Sequence, residues 1–209
     1  MLRAFTDAAC LDHRVPPGFP ERPERLEAVL SALDRAGVEL STLELEGTAD
    51  GEDAGDGDAD GLGEAAWRAV AALHDGDYVE RFRRAVRRGD GVLDSADNPL
   101  SAGTWAAAWG AVGAGIAAAD WVMGGAERTA FVAARPPGHH AEHDMAMGFC
   151  FFGTAAAVAQ HLVTDHGLER VAIFDFDVHH GNGTQHLLEE RGDRDHGRLL
   201  PGHGDHRGH

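Results

Sequence analysis

The stretch Val171-Ala-Ile-Phe-Asp-Phe-Asp-Val-His-His-Gly-Asn-Gly-Thr-Gln185 decides the expected fold of this chain. An apolar run that leads into acids, a histidine pair and glycines predicts a buried strand whose carboxyl end opens into a polar loop. Open α/β sheets bind their ligands at that end of the strands. Asp175, Asp177 and His179 are spaced by two residues, so an extended backbone places their side chains on one face. The stretch therefore predicts a cluster of ligating or catalytic groups.

A second polar stretch is Arg135-Pro-Pro-Gly-His-His-Ala-Glu-His-Asp-Met-Ala-Met-Gly-Phe-Cys-Phe-Phe152, which follows a short predicted buried strand at residues 129–134. Two prolines and a glycine fix a turn immediately before His139 and His140. The apolar segment that follows predicts a helix, which leads back to the first stretch. Strand, loop, helix and strand form a βαβ unit with parallel strands. Both histidine-bearing loops are therefore expected at the same edge of one sheet.

The rest of the chain predicts mainly helices. Residues 1–19 are expected to be rich in turns. Gly113 and Gly115 lie within a predicted helix with no strand before it, which favours close helix packing over a dinucleotide-binding loop. Helices are predicted from Glu21 to Gly37, at Glu64–His74, at Asp77–Arg88 and at Ser101–Met123, with Ser101 as a possible N-cap.

Composition limits the classes of function. The 209 residues, 43% of them hydrophobic, are enough for one domain with a core. The net charge of −17 argues against direct binding of nucleic acid. No apolar run is expected to span a membrane, since the Ala-rich segment at residues 105–119 is only weakly hydrophobic. Cys10 and Cys150 are too few for a disulfide framework and no leader opens the chain, so a reducing cytoplasm is expected.

Residues 44–63 are rich in acids and glycine, which predicts a solvated loop. Within them, Asp56-Gly-Asp-Ala-Asp60 resembles the start of an EF-hand loop. The twelfth position of such a loop needs a bidentate Glu, and here it is Trp67. An acidic loop is therefore favoured over a calcium site.

The polar groups at the predicted sheet edge suit a hydrolytic metal site. Asp177 and His179 offer the oxygen and nitrogen ligands that zinc accepts. A catalytic zinc commonly has three protein ligands and a water of lowered pKa. His139 and His140 are then placed to take a proton from that water as an amide or ester carbonyl is attacked. A lone histidine is more often structural, but two histidine loops at one edge favour a site.

Asp175 and Asn182 are the expected partners of these imidazoles. Asp175 is predicted to be buried on the strand, where a carboxylate needs a partner such as a histidine N–H. Asn182 is placed to orient another imidazole in the same way.

The motifs Arg135-Pro-Pro-Gly-His-His-Ala141 and Asp175-Phe-Asp-Val-His-His-Gly-Asn-Gly183 resemble the signature stretches of the zinc-dependent histone deacetylase family, which includes acetylpolyamine amidohydrolases and acetoin-utilisation-type proteins. Weaker similarity at residues 21–26 and 73–78 extends the resemblance over residues 10–185. It implies an α/β fold of the arginase and deacetylase type, an open, mainly parallel sheet flanked by helices.

The resemblance also implies roles. Asp177 and His179 match two of three zinc ligands. His140 matches the general base and acid, and His139 matches its neighbour, which contacts the carboxylate of Asp175.

Asn182 matches the residue that hydrogen-bonds the catalytic histidine. Gly148 and Phe149 match the wall of a narrow channel for an acetyl-lysine stem. Acetylated lysine, polyamines or other small amides are the implied substrates. A potassium site is matched by the backbone oxygens around Asp175, Asp177 and His179.

The sequence departs from the family after the second motif. The third zinc ligand, an aspartate, and the tyrosine that stabilises the oxyanion lie further downstream in the family. Tyr78 is the only tyrosine here and matches a different position. Residues 186–209 are rich in His, Gly and Arg and are expected to be an unrelated, disordered tail. The expected organisation is therefore a C-terminally truncated deacetylase-like domain over residues 1–185.

Three hypotheses follow. The first is a zinc-dependent amidohydrolase, and the second is a catalytically incompetent fragment of one. The third is a ureohydrolase, whose Asp-x-His-x-Asp motif bridges two metals. The last position of that motif is Gly181 here, which disfavours it.

Overall fold

The computed structural model describes residues 1–45, 61–126 and 128–189. Its main sheet has three parallel strands in the order β2-β1-β5, and a small antiparallel hairpin pairs β3 with β4. The strands are β1 (Leu2–Asp7), β2 (Glu39–Leu43), β3 (Val92–Leu93), β4 (Ser95–Pro99) and β5 (Thr129–Val132), and the helices are α1 (Pro23–Arg35), α2 (Leu62–Leu73), α3 (Gly76–Arg88), α4 (Thr104–Met123), α5 (Thr154–Thr164) and α6 (Asn182–Glu189).

The central strand, β1, lies in the segment that was expected to be rich in turns, so that prediction is wrong for residues 2–7. Arg3 pairs with Glu39 of β2, and Leu2 pairs with Thr129 of β5. The strand is buried on both faces from Ala4 onwards, as a central strand of a parallel sheet must be. Turn-forming residues further along the segment dominated its composition and concealed this short strand.

Helix α4 packs closely on the sheet and on α5 through small residues, and close helix packing was predicted. A Cβ atom at Gly110 would lie 2.6 Å from the side chain of Asp7, and one at Gly115 would lie 2.6 Å from Val158. By length and composition alone α4 could also cross a membrane, but most of it is buried here, as in a core helix. The expected cap is wrong: α4 begins at Thr104 after Gly103, and the N–H of Ser101 donates to Thr104 Oγ1 at 2.7 Å.

The aromatic core lies between α3, α4 and the residues that precede α5. The rings of Phe82 and Phe151 stack with centroids 4.9 Å apart, and Phe152 meets Phe82 edge-on at 5.5 Å. Trp105 of α4 lies 5.1 Å from Phe82. The end of the polar loop after β5 is therefore part of the core.

The segment that was predicted as a buried strand, residues 171–176, has no regular secondary structure, so that prediction is wrong. Phe174 and Phe176 are 87% and 86% exposed, and Val178 is 92% exposed. In the described part of the chain the sheet ends at β5, so no ladder is formed by this segment. An apolar pattern stabilises a strand only when a neighbouring strand and a covering layer are present. The second strand of the predicted βαβ unit is therefore missing.

Strand β5 is also less buried than predicted, because its side chains alternate between partly buried and exposed positions. Phe131 is exposed on one face.

Helix α6 continues through Glu189, past the expected domain boundary at residue 185. Leu187 is buried in the aromatic core, and this contact explains why the helix extends further. The remainder of the predicted tail, residues 190–209, lies outside the described residues. The same is true of most of the acidic loop, residues 46–60, including the EF-hand-like segment.

Candidate active site

Arg135 anchors the loop at residues 135–152, which carries His139 and His140. Its guanidinium donates to both carboxylate oxygens of Glu21, at 2.6 and 2.8 Å, and both side chains are buried. It also donates to the backbone oxygens of Cys10 and His13, each at 3.0 Å. A bidentate, fully hydrogen-bonded pair is the arrangement in which buried charges are tolerated. The pair joins the segment at residues 21–26 to the loop at residues 135–152.

Two buried side chains secure the remainder of this loop. His74 Nδ1 donates to the backbone oxygen of Glu142 at 2.9 Å, and His74 Nε2 accepts from the N–H of Gly153 at 3.0 Å. Burial lowers the pKa of His74 to about 4, so it is neutral at pH 7. The Tyr78 hydroxyl donates to the Phe151 oxygen at 2.6 Å, and burial raises its pKa. Tyr78 is thus a core residue.

His139 and Asp175 lie in the contact that the resemblance implied. His139 Nδ1 is 2.8 Å from Asp175 Oδ2, and the N–H of Asp177 donates to Asp175 Oδ1 at 3.1 Å. Partial burial raises the pKa of Asp175, but these two hydrogen bonds outweigh it and the net pKa is lowered. Gly181 is required beside this pair, because a Cβ atom there would lie 2.5 Å from Asp175 Oδ2.

His140 is oriented by a chain of two hydrogen bonds. Its Nδ1 is 2.6 Å from Asn182 Oδ1, and Asn182 Nδ2 donates to Glu142 Oε1 at 2.7 Å. A carboxylate can only accept, so Glu142 fixes which end of the Asn182 amide faces His140. Asn182 Oδ1 in turn requires a proton on His140 Nδ1. The neutral imidazole therefore carries its lone pair on Nε2, where a general base needs it.

Gly148 and Phe149 form a strained turn against the His140 ring. Both have left-handed backbone conformations, with φ of 53° and 68°, and a Cβ atom at Gly148 would overlap the ring of His140. The N–H of Phe149 donates to Asn98 Oδ1 at 2.9 Å, which secures the turn. Phe19 meets the Phe149 ring edge-on, with centroids 5.9 Å apart. The turn and Phe19 thus present an aromatic wall beside His140.

The expected metal ligands, Asp177 and His179, are 49% and 70% exposed. Asp177 Oδ1 accepts from the backbone N–H of His179 at 2.8 Å and from its Nδ1 at 2.9 Å, and these bonds lower the pKa of Asp177. The rings of His179 and His140 are 6.0 Å apart. This oxygen and nitrogen pair suits zinc in chemistry. Among the described residues, however, no third His, Cys, Asp or Glu joins it within 4.8 Å.

Sequence reasoning missed Glu142 and Asn98. Glu142 follows the histidine pair within the quoted motif, where its proximity to His140 was a signal. No local pattern assigned a role to Asn98, yet its Nδ2 also donates to the Ala146 oxygen at 2.8 Å. Both residues position others and do not lie at the predicted reacting centre.

Comparison with known proteins identifies relatives. The histone deacetylase domain family matches residues 19–195. A histone deacetylase-like amidohydrolase of Pseudomonas aeruginosa is 34% identical over 206 residues, which cover 90% of this chain and 50% of the relative. The crystal structure of the HDA15 HD domain has a TM-score of 0.69 at 29% identity, covering 90% of this chain and 49% of that one. Acetylpolyamine aminohydrolase from Burkholderia pseudomallei has a TM-score of 0.68 at 26% identity, covering 90% and 59%.

The parallel sheet and the histidine loops beyond it define an α/β protein of the arginase and deacetylase type. The chain belongs to the histone deacetylase family. It spans about half the length of the relatives it matches.

Proposed function

We propose that the chain carries the proton-transfer part of a zinc-dependent amidohydrolase site, which hydrolyses acetyl-lysine or acetylated polyamine and other small amides. The observation that supports this most directly is the Glu142–Asn182–His140 chain of hydrogen bonds. It prepares one imidazole as a base, and a purely structural histidine would not need that orientation.

His140 is the proposed general base and acid. Within the described residues its Nε2 has no protein hydrogen-bond partner, so it is available to a water molecule. Nε2 takes a proton from water as the water oxygen bonds to the carbonyl carbon of the amide. The same proton passes to the departing nitrogen as the C–N bond breaks. The products are a carboxylate, acetate for an acetylated substrate, and a free amine.

His139 is the proposed second imidazole, and Asp175 fixes its orientation. The Asp175 carboxylate is 2.8 Å from Nδ1, so it holds the ring in place. The His139 ring lies next to His140, with ring centroids 4.1 Å apart, where a hydrogen bond from it would stabilise the substrate oxygen.

Asp177 and His179 are the residues that would bind zinc, through the carboxylate oxygen and Nδ1. When bound, zinc lowers the pKa of water and polarises a carbonyl. The exposure of this pair means that these two side chains alone do not exclude water from the ion. The backbone oxygens around Asp175, Asp177 and His179 are the proposed ligands of a potassium ion.

The aromatic wall favours a substrate with a slim apolar stem. Phe149 and Phe19 offer ring faces and edges to a methylene chain, and the missing side chain of Gly148 lets this turn lie directly against the His140 ring. The net charge of −17 favours substrates that carry further amino groups. The name of the Burkholderia relative, an acetylpolyamine aminohydrolase, agrees with this class.

The alternative function is that of a catalytically incompetent chain. The exposed Asp177–His179 pair and the absence of a third donor near it among the described residues favour this alternative. A zinc site with two protein ligands binds weakly compared with the three that catalytic zinc commonly has.

The cytoplasm is the proposed compartment, supported by the two buried, free cysteines.

The test is hydrolysis of a fluorogenic acetyl-lysine peptide and of an acetylated polyamine by the 209-residue chain with added zinc. Under the first proposal His140→Ala reduces turnover at least about 100-fold, because general acid–base catalysis is lost. The matched control is His180→Ala, since His180 lies in the same segment as the second motif and is exposed.

The two functions predict different results. Turnover that His140→Ala abolishes and His180→Ala leaves intact would exclude the incompetent chain. No turnover, combined with a zinc content well below one ion per chain, would exclude activity of this polypeptide.

A further inference from the structure

A second cluster of metal-ligand side chains lies far along α4 and α5. Asp120 is near the end of α4, His161 is in the last turns of α5, and His166 follows that helix. The chain then enters β5 from the end of α4, so this cluster is at the amino end of that strand. His139 and His140 follow the carboxyl end. The cluster is therefore separate from the candidate active site.

One carboxylate oxygen joins the two imidazoles. Asp120 Oδ1 is 2.7 Å from His161 Nε2 and 2.6 Å from His166 Nε2. The two rings meet edge-on, with centroids 5.1 Å apart. The three donor atoms lie within 4.8 Å of one another. Among the described residues this is the group of three that is close enough to share an ion.

The second nitrogen of His161 faces a carboxylate to which it does not donate. The His161 side chain is only 5% exposed, and its Nδ1 is buried without a hydrogen-bond partner, 3.4 Å from Asp165 Oδ2. If Nε2 carries the proton for Asp120, then Nδ1 presents a lone pair to a carboxylate, which is unfavourable. A cation at Nε2 moves the proton to Nδ1, which can then donate to Asp165.

Asp165 is well prepared for that role. It accepts hydrogen bonds from Arg68 Nη2 and from Thr164 Oγ1, each at 2.6 Å. A fixed carboxylate behind a histidine is the usual outer arrangement of a metal-bound imidazole.

We propose that Asp120, His161 and His166 form a divalent transition-metal site, with zinc as the best-matched ion and Asp165 orienting His161. Two imidazole nitrogens and one carboxylate oxygen are a zinc donor set, whereas magnesium and calcium require mainly oxygen ligands. Donor atoms of tetrahedral zinc are about 3.3 Å apart, given bonds of roughly 2.0–2.1 Å. The present separations of 2.6 and 2.7 Å thus need to open by less than about 1 Å.

The site has an open side for an ion and a water ligand. Asp120 and His166 are 45% and 25% exposed at their side chains, while His161 forms the floor. A bound ion would join α4 to α5 and, through Asp165 and Arg68, to α2. We therefore assign a stabilising role to this site, independent of the proposed amide hydrolysis.

The test uses a parent protein that lacks the other candidate ligands, Asp177→Asn/His179→Ala. We expect this parent to bind about one zinc ion and to gain thermal stability with zinc. Cobalt(II) should give the visible absorption of a tetrahedral ion. Adding Asp120→Asn and His166→Ala should weaken zinc binding at least about tenfold and abolish the zinc-dependent rise in Tm. Both changes are at exposed or partly exposed positions, so folding should be retained.

Controls separate this site from other histidines. The histidines of residues 190–209 are present in both proteins and therefore cancel in the comparison. His180→Ala in the same parent should leave zinc binding unchanged. Unaltered zinc affinity after Asp120→Asn and His166→Ala would overturn the proposal, as would a parent whose Tm does not respond to zinc.

Discussion

The loop at residues 135–152 and the segment at residues 171–180 carry the two histidine pairs, yet the protein secures them differently. The first loop begins at the buried Arg135 and ends at the buried Phe152, and contacts along it lead into the core. The second is exposed at every residue from Ala172 to His180. The first loop is thus determined by packing, and the second by a few polar contacts.

The start of α6 belongs with the packed loop. The N–H of Thr184 donates to the His139 backbone oxygen at 3.1 Å, and Asn182 is bonded to both His140 and Glu142. The proposed proton-transfer groups are therefore built into the packed half. The proposed zinc ligands, Asp177 and His179, are in the exposed half. The fold therefore preorganises the proposed general base, whereas the proposed zinc ligands are held by only a few polar contacts.

The largest effect of a single substitution at the proposed anchors should come from Arg135, which secures the packed loop. Arg135→Met leaves the Glu21 carboxylate buried without its partner, and we expect a loss of about 3–5 kcal/mol in the free energy of unfolding. Urea denaturation measures it. Arg84→Ala, which removes an exposed pair with Glu80, is the control and should leave stability almost unchanged. Equal effects of the two changes would contradict the anchoring role.

As the pH falls, the free energy of unfolding should first decrease because of the buried histidines that pack with the loop at residues 135–152. The exposed segment should contribute only at lower pH. Burial lowers the pKa of His74 to about 4, and burial together with the nearby Arg135 lowers the pKa of His13 to about 4. Between pH 6.5 and 4 the unfolded chain binds protons at these histidines and the folded chain does not, so stability falls as the pH falls. The full stability is present above about pH 6.5, and the loss reaches about 3 kcal/mol per histidine at or below pH 4.

The pH dependence can be measured by urea denaturation from pH 7.5 to 4. His74→Gln should remove about half of this loss, since one of the two groups no longer titrates. His180→Gln, in the exposed segment, should leave the loss unchanged. In that segment the pKa of Asp175 is lowered, so its contribution fades only at lower pH, below about 3.8. A loss confined to pH values below 4 would contradict the assignment to His74 and His13.

A smaller effect should come from Glu142, which orients Asn182. Glu142→Ala should reduce turnover about tenfold, as typical for a residue that orients a catalytic ligand. Glu142→Gln should retain most turnover, because its carbonyl still accepts from Asn182 Nδ2. NMR of the imidazole nitrogens gives a readout that does not require activity. The proton of His140 should be on Nδ1 in the native chain and should distribute over both nitrogens in Glu142→Ala; an unchanged tautomer would contradict this role.

The sequence predicted the packed half better than the exposed half. Prolines and glycine before His139 indicated a rigid turn, and the periodicity of the helices gave most of their positions. The contacts of His139 with Asp175 and of His140 with Asn182 follow from the family resemblance, while the roles of these residues stay predictions. The packing of Glu142 and Asn98 depends on distant segments, which local patterns do not reveal.

The missed elements have one physical cause. Strand β1 is short and became a strand because β2 and β5 pair with it on both sides. The longer apolar run at residues 171–176 has no such partner among the described residues and stays irregular. A hydrophobic pattern indicates that a segment is able to form a strand. Whether the strand forms depends on neighbouring strands that can pair with it.

The smallest effect should come from the exposed segment itself. Phe176→Ser changes a ring that is 86% exposed, so we expect the free energy of unfolding to change by less than about 0.5 kcal/mol. Phe151→Ala, in the packed loop, is the matched control and should cost about 3–5 kcal/mol. Comparable losses for the two would show that Phe176 is covered in solution. Because covering by a second copy depends on protein concentration, repeating the denaturation over a concentration series would then separate self-association from packing within one chain.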